Sequence, residues 1–138
     1  MADRILVTGS SGFIGAWVVR DLIERRVPFV MLDRDPHLRR LGDLLPELPS
    51  DLKVITGDVS DLDVVARALE DNAVTAIIHL AGAQIPICRA TPLLGAQINV
   101  MGTMAVFEAA RQSGTIQQIA YASSAGVMGR VEDYPPGL

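Results

Sequence analysis

Three glycines at equal spacing, Gly9, Gly12 and Gly15, form the pattern T-G-S-S-G-F-I-G over residues 8–15. Glycine allows the backbone angles of a tight turn, and its missing Cβ lets the backbone approach a ligand closely. A helix that begins directly after such a turn points its unpaired N–H groups and its positive dipole end at an anion. These residues therefore predict a binding site for the pyrophosphate of a dinucleotide. The alternative is a glycine turn without a ligand.

The elements on both sides of the glycines support this prediction. Residues 4–7, Arg-Ile-Leu-Val, form a short β-branched and leucine run typical of a buried strand, and the apolar residues of 16–24 recur at helical spacing. The spacing G-x-x-G-x-x-G differs from the G-x-G-x-x-G of the commonest dinucleotide fingerprint. The glycines alone are thus weak support, and the flanking strand, the helix and an acid about twenty residues later strengthen it.

That acid is Asp33, which follows a second predicted strand over residues 27–32. In a right-handed β-α-β unit this strand lies beside the first, so Asp33 is expected near the glycine turn. A carboxylate there accepts both hydroxyls of a ribose, and it favours NAD because it repels a 2′-phosphate. Arg34 keeps NADP open, since a guanidinium can pair with that phosphate. The alternative role for Asp33 is to cap the loop that follows.

A third strand is predicted over residues 52–56, and it ends in Gly57-Asp58-Val59. Ser60 or Asp61 can cap the helix predicted over residues 62–69. Asp58 then has two roles of equal weight on spacing alone. It is either a turn residue before the helix, or a carboxylate that accepts a hydrogen bond from the exocyclic amine of adenine.

The fourth predicted strand, residues 73–80, is nearly all apolar, as expected of a central parallel strand. The small residues Ala81-Gly82-Ala83 after it would let a ring or a ribose lie against the backbone. His79 is interpreted as a core histidine whose hydrogen bonds are satisfied. Cys88 is placed in a loop after Pro86. No metal site is predicted, because no other ligand-type residue stands at ligand spacing from His79.

Thr91 and Pro92 resemble a helix start, and the helix is predicted to end at about Arg111 or Ser113, with Gly114 just after it. Asn99 lies inside this helix, which is otherwise expected to be packed with Val100, Met104, Val106 and Phe107. Three roles stay open for Asn99: it holds the strand ends, it holds a water near a cofactor, or it faces solvent.

A fifth strand is predicted over residues 117–122, followed by Ser123 and Ser124. Alternating strands and helices of this length predict an α/β fold, a Rossmann-like doubly wound parallel sheet of strand order 3-2-1-4-5. Ligands of such sheets bind at the carboxyl ends of the strands, where both serine hydroxyls are expected.

Composition limits the function classes. A chain of 138 residues suits one domain, and its formal net charge of −4 argues against a nucleic-acid partner. We expect no membrane span, since no segment reaches eighteen apolar residues, and no signal peptide before the first strand. With a single cysteine, the chain is consistent with a reducing cytoplasm.

Taken together, these motifs resemble the NAD-dependent epimerase/dehydratase family, the extended short-chain dehydrogenase/reductases. The motifs that carry the resemblance are T-G-S-S-G-F-I-G, Asp33, Gly57-Asp58-Val59, His79-Leu80-Ala81-Gly82, Asn99-Val100-x-Gly102-Thr103 and Ser123-Ser124-Ala125-x-Val127-x-Gly129. They span the chain from end to end, in the order and at the spacing of the family.

The resemblance implies roles for individual residues. It makes Asp58 an adenine contact, Asn99 a structural residue near the cofactor, and Ser124 the catalytic serine. The predicted cofactor is NAD, with NADP not excluded. The cofactor-binding residues predicted in all are Gly9, Ser11, Gly12, Phe13, Ile14, Gly15, Asp33, Arg34, Asp58, Val59, Leu80, Ala81, Gly82, Asn99 and Ser123.

One family feature is missing from the 138 residues. The family acid/base is a tyrosine in Y-x-x-x-K, but Ala125 follows Tyr121 at that distance, Leu138 follows Tyr134, and Lys53 is the only lysine. We therefore expect residues 1–138 to be an incomplete NAD(P)-binding Rossmann domain, truncated after its fifth strand and without its substrate lobe. The chain alone is expected to bind cofactor with negligible turnover.

Three further expectations follow from the resemblance. In full length, the protein would transfer hydride between NAD and a hydroxyl or carbonyl carbon, of a nucleotide sugar or a similar substrate. The alternative is a non-catalytic NAD(P)-sensing module that regulates a partner. The uncovered fifth strand and its neighbouring apolar helices predict either that the chain self-associates into a homo-oligomer or that it is a truncated piece of a longer protein.

Overall fold

The computed structural model describes residues 4–129 and Glu132. Tyr134 and Leu138, the second of the two pairs of positions with tyrosine–lysine spacing, lie outside the described residues. The strands are β1 Ile5–Thr8, β2 Phe29–Asp33, β3 Val54–Thr56, β4 Ala76–His79 and β5 Gln118–Tyr121. The helices are α1 Phe13–Glu24, α2 Arg39–Leu44, α3 Leu62–Glu70, α4 Ile85–Ala90, α5 Pro92–Ala96, α6 Thr103–Ser113, a π-helical segment Gln97–Gly102 between α5 and α6, and a 3₁₀ turn Ala125–Met128.

The five strands form one parallel sheet in the order β3-β2-β1-β4-β5. This confirms the predicted fold class and strand order. In the register, Thr8 pairs with Leu32 on one side and with His79 on the other. The carboxyl ends of the three central strands therefore end level with each other, which places the loops after them side by side.

Two apolar layers cover the sheet, and successive residues of each strand alternate between them. Leu6 and Ile77 face one layer, where they pack with Val65 of α3 and Val106 of α6. Val7 and Met31 face the other layer, which α1 and α2 cover through Val19, Leu22 and Leu41. Burial on both faces explains why the central strands β1, β2 and β4 are nearly all apolar.

The helix ends follow local chemistry. Asp61 caps α3, since its carboxylate accepts hydrogen bonds from the backbone N–H groups of Asp63 at 3.0 Å and Val64 at 3.2 Å. Of the two predicted candidates, Ser60 and Asp61, the aspartate is thus the cap. The helix α6 ends as predicted, with Gly114 in the left-handed region at φ 65°.

The long helix of α5, the π segment and α6 differs from the prediction in its packing. The buried residues of this helix are Gly95, Gly102, Ala105, Val106, Ala109 and Ala110, and the last three pack against α3 and the sheet. Val100, Met104 and Phe107, predicted to be packed with Val106, are exposed. That prediction was wrong because an apolar helix can present a second apolar face, which sequence periodicity cannot assign to a neighbour.

Two other features concern this region. Within the described residues one helix, Pro92–Ser113, is long and apolar enough by length and composition to cross a membrane, a test that core helices also pass.

Cys88, predicted in a loop, lies instead in α4, which has proline in its first turn. Pro86 starts the helix rather than breaking it, because a first-turn N–H needs no intrahelical acceptor.

Candidate functional site

The turn between β1 and α1 is tight and is held from two sides. Its first residue, Gly9, has φ 65°, and its N–H donates to the Leu32 carbonyl of β2 at 3.0 Å. The Gly12 N–H donates back to the Gly9 carbonyl at 3.0 Å. A Cβ at Gly9 would lie 2.6 Å from the Ala81 nitrogen, so the turn touches the loop after β4. Only glycine fits this position.

The first turn of α1 carries free amide groups. Gly12 is the N-cap and supplies no side-chain acceptor, and the first intrahelical bond runs from Ala16 N–H to the Gly12 carbonyl at 3.0 Å. Among residues 4–129, the N–H groups of Phe13, Ile14 and Gly15 have no acceptor. Three unpaired donors at the positive end of a helix dipole form a site for an anion.

Asp33 stands at the end of β2 beside this turn. Its Oδ2 accepts from the Ser11 N–H at 2.9 Å, and its Oδ1 accepts from the Asp35 N–H at 3.2 Å. The bond from Ser11 ties the acid to the glycine turn, and the bond from Asp35 is the loop-capping role. The carboxylate also lines the cleft described below. The two predicted roles of Asp33 are therefore compatible.

Basic side chains hold the glycine turn on the side of α2. Arg40 donates to the Ser11 carbonyl at 3.0 Å and approaches the His37 Nε2 at 3.4 Å, while the His37 N–H donates to Ser11 Oγ at 3.0 Å. Arg34 is exposed and also faces the cleft. His37 is exposed and forms part of the cleft wall.

Asp58 also serves as a turn residue while it faces the cleft. Its Oδ1 accepts from the Ser60 N–H at 2.9 Å and from the Ser60 hydroxyl at 2.8 Å, which closes the turn before α3. Asp58 and Val59 form the wall of the cleft next to the end of β3. The turn role is thus present, and the adenine contact stays a prediction.

Asn99 fastens the loop after β4. Its Oδ1 accepts from the Ala83 N–H at 2.7 Å, and its Nδ2 donates to the Ala83 carbonyl at 3.0 Å. Of the three open roles, holding the strand ends is the one that these contacts show. The paired amide keeps Gly82, whose Cβ position would lie 3.4 Å from Asn99 Oδ1, close to the long helix.

These elements enclose a cleft of about 280 Å³ at the carboxyl ends of β1 to β4. It brings together ten of the predicted cofactor-binding residues: Gly9, Ser11, Gly12, Asp33, Arg34, Asp58, Val59, Leu80, Ala81 and Gly82. Four residues that the sequence did not indicate also line it: Asp35, His37, Arg40 and Ile98. Their spacing carries no signal, apart from the proximity of Asp35 to Asp33 and of Ile98 to Asn99.

The other predicted site residues lie outside this lining. Phe13, Ile14 and Gly15 form the adjoining first turn of α1, and Asn99 acts behind the loop. Ser123 and Ser124 are exposed after β5, where Ser124 Oγ accepts from the Gly126 N–H at 3.1 Å and so starts the 3₁₀ turn. The structure therefore places both serines at the expected edge of the sheet, one strand away from the cleft.

Within the described residues, no group of three or more histidine, cysteine or acidic side chains could hold a metal ion. The absence of a metal site stays a prediction for the whole chain. Cys88 is partly buried, and its thiol points to the Ala83 carbonyl at 3.4 Å.

His79 links the glycine turn to the long helix. The Thr103 hydroxyl donates to the Asn99 carbonyl at 2.8 Å, so Thr103 Oγ1 accepts from His79 Nε2–H at 3.2 Å. His79 Nδ1 then accepts from the Thr8 hydroxyl at 2.7 Å, while Thr8 Oγ1 also accepts from two backbone N–H groups after β4. The ring is thus a neutral imidazole with its proton on Nε2, as expected of a satisfied core histidine.

This environment predicts a pH-dependent stability. His79 is only 4% exposed, and burial lowers its pKa below the ordinary value of 6.5. Between the lowered pKa and 6.5 the unfolded chain binds the extra proton. The free energy of unfolding therefore decreases as the pH falls through this range, by at most about 1.4 kcal/mol per pH unit for one proton.

Urea unfolding at about pH 7.5 and about pH 5.5 measures the decrease in the free energy of unfolding that comes from His79. The His79→Gln variant is expected to be less stable at the higher pH and to show a shallower decrease between the two. His37→Gln, which changes an exposed histidine, serves as the control and should keep the full decrease. An unchanged decrease in His79→Gln would contradict the assignment.

The profile of the family described as NAD dependent epimerase/dehydratase family matches residues 5–137. The chain belongs to this family. Members of this family depend on NAD, which agrees with the predicted nicotinamide dinucleotide cofactor. The membership gives no support to the alternative of a regulatory sensing module.

Individual relatives include enzymes of two substrate classes. The chain is 29% identical to the UDP-glucose 4-epimerase of Azospirillum brasilense over 97% of its own length and 37% of that protein. It is 38% identical to the mouse 3 beta-hydroxysteroid dehydrogenase type 7 over 90% of its own length and 33% of that protein. The chain thus spans about a third to two fifths of the length of the curated relatives it matches.

Solved structures of the family have the same fold. The UDP-glucose 4-epimerase of Stenotrophomonas maltophila, described with bound NAD and a formylated UDP-arabinopyranose, matches with a TM-score of 0.80 at 25% identity. This match covers 97% of the chain and 40% of the solved chain. The described residues of this member of the epimerase/dehydratase family therefore correspond to one segment of a larger family fold.

Proposed function

We propose that the cleft at the ends of β1 to β4 binds NAD, with the pyrophosphate at the first turn of α1. The observation that carries this proposal is the set of three free N–H groups at Phe13, Ile14 and Gly15. At Gly9 and Gly15 a Cβ would overlap backbone atoms of the loop after β4 and of the turn itself, so glycine at both positions keeps the turn tight and its N–H groups together. The residues present fit a dinucleotide.

Two aspartates would bind the adenosine half, one at its ribose and one at its adenine. Asp33 accepts from the ribose hydroxyls, for which its carboxylate keeps lone pairs beyond the two backbone bonds. Asp58 accepts from the exocyclic amine of adenine. A carboxylate beside the ribose favours NAD over NADP, because the 2′-phosphate would be repelled.

Titration with NADH and NADPH tests this proposal. The fluorescence of NADH is expected to change as it binds to the 138-residue chain, and NADPH is expected to bind about tenfold more weakly or worse. A chain that changes the fluorescence of neither cofactor, at concentrations well above a micromolar, has no such site.

We propose further that the full-length protein that contains this chain is an oxidoreductase or epimerase of its family. When bound, NAD supplies a hydride acceptor and donor. Ser124 would hold the oxygen of the substrate by its hydroxyl, and Asn99 would keep the loop after β4 in place. The Y-x-x-x-K pair would supply the proton transfer, worth about 10²–10⁴ in rate. Residues 1–138 contain no such pair, so we propose that this chain alone binds NAD without turnover.

Two substrate classes follow from the relatives. A nucleotide sugar is the first, because the majority of the relatives described above act on UDP-sugars by name. A hydroxysteroid is the second, favoured by the higher identity, 38%, to a 3 beta-hydroxysteroid dehydrogenase. Two readouts on a full-length protein that contains this chain distinguish the classes. Oxidation of a hydroxysteroid produces net NADH, which absorbs at 340 nm, whereas epimerisation of a nucleotide sugar returns the hydride to the sugar and is detected by chromatography of the sugar product.

An exposed apolar patch supports the proposal of a homo-oligomer. Val100, Met104 and Tyr121 are 58%, 59% and 60% exposed, and Phe107 stacks edge-on against Tyr121 with ring centroids 5.6 Å apart. These four side chains carry no charge and lie on the long helix and the edge strand β5. We propose that a second copy covers this patch, since contiguous apolar surface favours association.

Light scattering after size exclusion tests this. Met104→Glu is expected to convert a dimer into a monomer, because a carboxylate buried in an interface without a partner is strongly unfavourable. Trp17→Glu also introduces a carboxylate at an exposed apolar position, but on α1, which covers the other face of the sheet, and it should leave the mass unchanged. A wild-type monomer at tens of micromolar would refute the proposal.

A further inference from the structure

A chain of three hydrogen-bonded side chains runs from the long helix to the cleft. Gln97 Nε2 donates to Ser60 Oγ at 3.1 Å, and the Ser60 hydroxyl donates to Asp58 Oδ1 at 2.8 Å. We infer that Gln97 is a positioning residue that acts through Ser60 to fix the Asp58 carboxylate, and that it thereby sets the selectivity of the cleft for adenine. This inference rests on the proposed binding of NAD.

The direction of each hydrogen bond is determined by chemistry. An ionised carboxylate only accepts, so the single proton of the Ser60 hydroxyl must go to Asp58 Oδ1. Ser60 Oγ is then an acceptor toward Gln97, which fixes the side-chain amide of Gln97 with its NH₂ group toward Ser60. A carboxylate at position 97 cannot take part in the chain, because it has no proton to donate at neutral pH.

The π-helical segment explains why Gln97 reaches Ser60. Gln97 is its first residue and Gly102 its last, and a Cβ at Gly102 would lie 2.8 Å from Val59 Cγ2. The helix therefore lies directly against the segment that follows β3. Irregular π turns in α-helices are frequent at functional sites, since they change the direction of side chains. Here the turn brings the helix and the Asp58 turn within hydrogen-bonding distance.

The hydrogen-bonded side chains of Gln97 and Ser60 leave one carboxylate oxygen of Asp58 for a ligand. Its Oδ1 takes both bonds from Ser60, and the Asp58 carbonyl accepts from the Asp61 N–H at 3.1 Å. Within the described residues Asp58 Oδ2 has no hydrogen-bond partner, and Asp58 lines the cleft. An exocyclic amine can donate to this oxygen, whereas a carbonyl at the same place on the base is repelled. A fixed carboxylate therefore selects adenine over hypoxanthine.

Equilibrium titration with two reduced dinucleotides tests the inference. The probes are NADH and reduced nicotinamide hypoxanthine dinucleotide, which carries a carbonyl in place of the amine. Wild type is expected to bind NADH about tenfold more tightly or better, the usual effect of one hydrogen bond to a charged group. Gln97→Glu, of the same size, is expected to reduce that ratio to about threefold or less, mainly by weakening NADH.

One variant serves as a control and another as a second test. Gln117→Glu makes the same change at an exposed glutamine before β5, at the other end of the sheet, and it should keep the wild-type ratio. Ser60→Ala removes the middle of the chain without adding charge, and it should reduce the ratio as Gln97→Glu does. It also replaces Gln97→Glu if that variant does not fold.

The outcomes separate this inference from the proposed function. A ratio that stays at the wild-type value in Gln97→Glu and Ser60→Ala overturns the inference, even if NADH affinity falls, because a merely structural role weakens both dinucleotides equally. A wild type that binds both dinucleotides equally also overturns it and leaves NAD binding intact. A wild type that binds neither removes the proposed function and this inference with it.

Discussion

The Gly15→Ala variant is expected to lose affinity for NADH by about 100-fold or more, equivalent to roughly 2.7 kcal/mol. The new Cβ would overlap the Gly9 carbonyl oxygen and would lie 2.8 Å from two backbone atoms of Ser10. Because backbone atoms cannot rotate away as a side chain does, the β1–α1 turn itself must move. The N–H groups of the first turn of α1 then no longer converge on one point. Fluorescence titration with NADH measures the loss.

Two other glycines provide matched controls. At Gly42, in α2, no atom lies within 4 Å of an added Cβ, so Gly42→Ala should keep the affinity and gain up to about 1 kcal/mol of helix stability. Gly12→Ala is intermediate, since its Cβ meets only the Gly9 oxygen at 3.1 Å, and it remains informative if Gly15→Ala does not fold. Affinity within threefold of wild type in both Gly12→Ala and Gly15→Ala would contradict the proposed site.

Replacing Asp33 by asparagine is expected to change the cofactor preference. The neutral amide has the same size but no charge, so the affinity for NADH should fall about 10- to 100-fold, as for the loss of hydrogen bonds to a charged group. The affinity for NADPH should rise at the same time, because the repulsion of the 2′-phosphate is removed and Arg34 faces the cleft. Parallel titrations with the two cofactors measure both changes.

Further variants make the experiment decisive. Asp43→Asn removes a carboxylate from an exposed position of α2 and should alter neither affinity. Adding Arg34→Ser to Asp33→Asn should remove the gain in NADPH affinity, since Arg34 is the exposed cation next to the acid. If Asp33→Asn retains a strong preference for NADH, the selectivity comes from another part of the cleft.

The features that the sequence predicted are those with local causes. The apolar runs gave the five strands because a central parallel strand is buried on both faces, as Leu6 and Val7 of β1 show. The glycine turn and Asp33 were predictable because the β-α-β connection places the two strand ends side by side. The strand order and the family followed from the same motifs.

The features that sequence could not show depend on packing between distant segments. The π-helical segment and the bond from Gln97 to Ser60 join residues 37 positions apart. Arg40 enters the cleft only because α2 folds back onto the glycine turn. The exposure of Val100, Met104 and Phe107 was mispredicted because an apolar position indicates burial without naming what buries it.

The central claim is that the free N–H groups at the first turn of α1 bind the pyrophosphate of NAD. A crystal structure of the chain with NAD tests it directly. The expected result is electron density for the pyrophosphate within hydrogen-bonding distance of the Phe13 and Ile14 nitrogens, with the ribose at Asp33 and the adenine at Asp58. Density for the adenosine half at any other surface, with the first turn of α1 free, would contradict the claim.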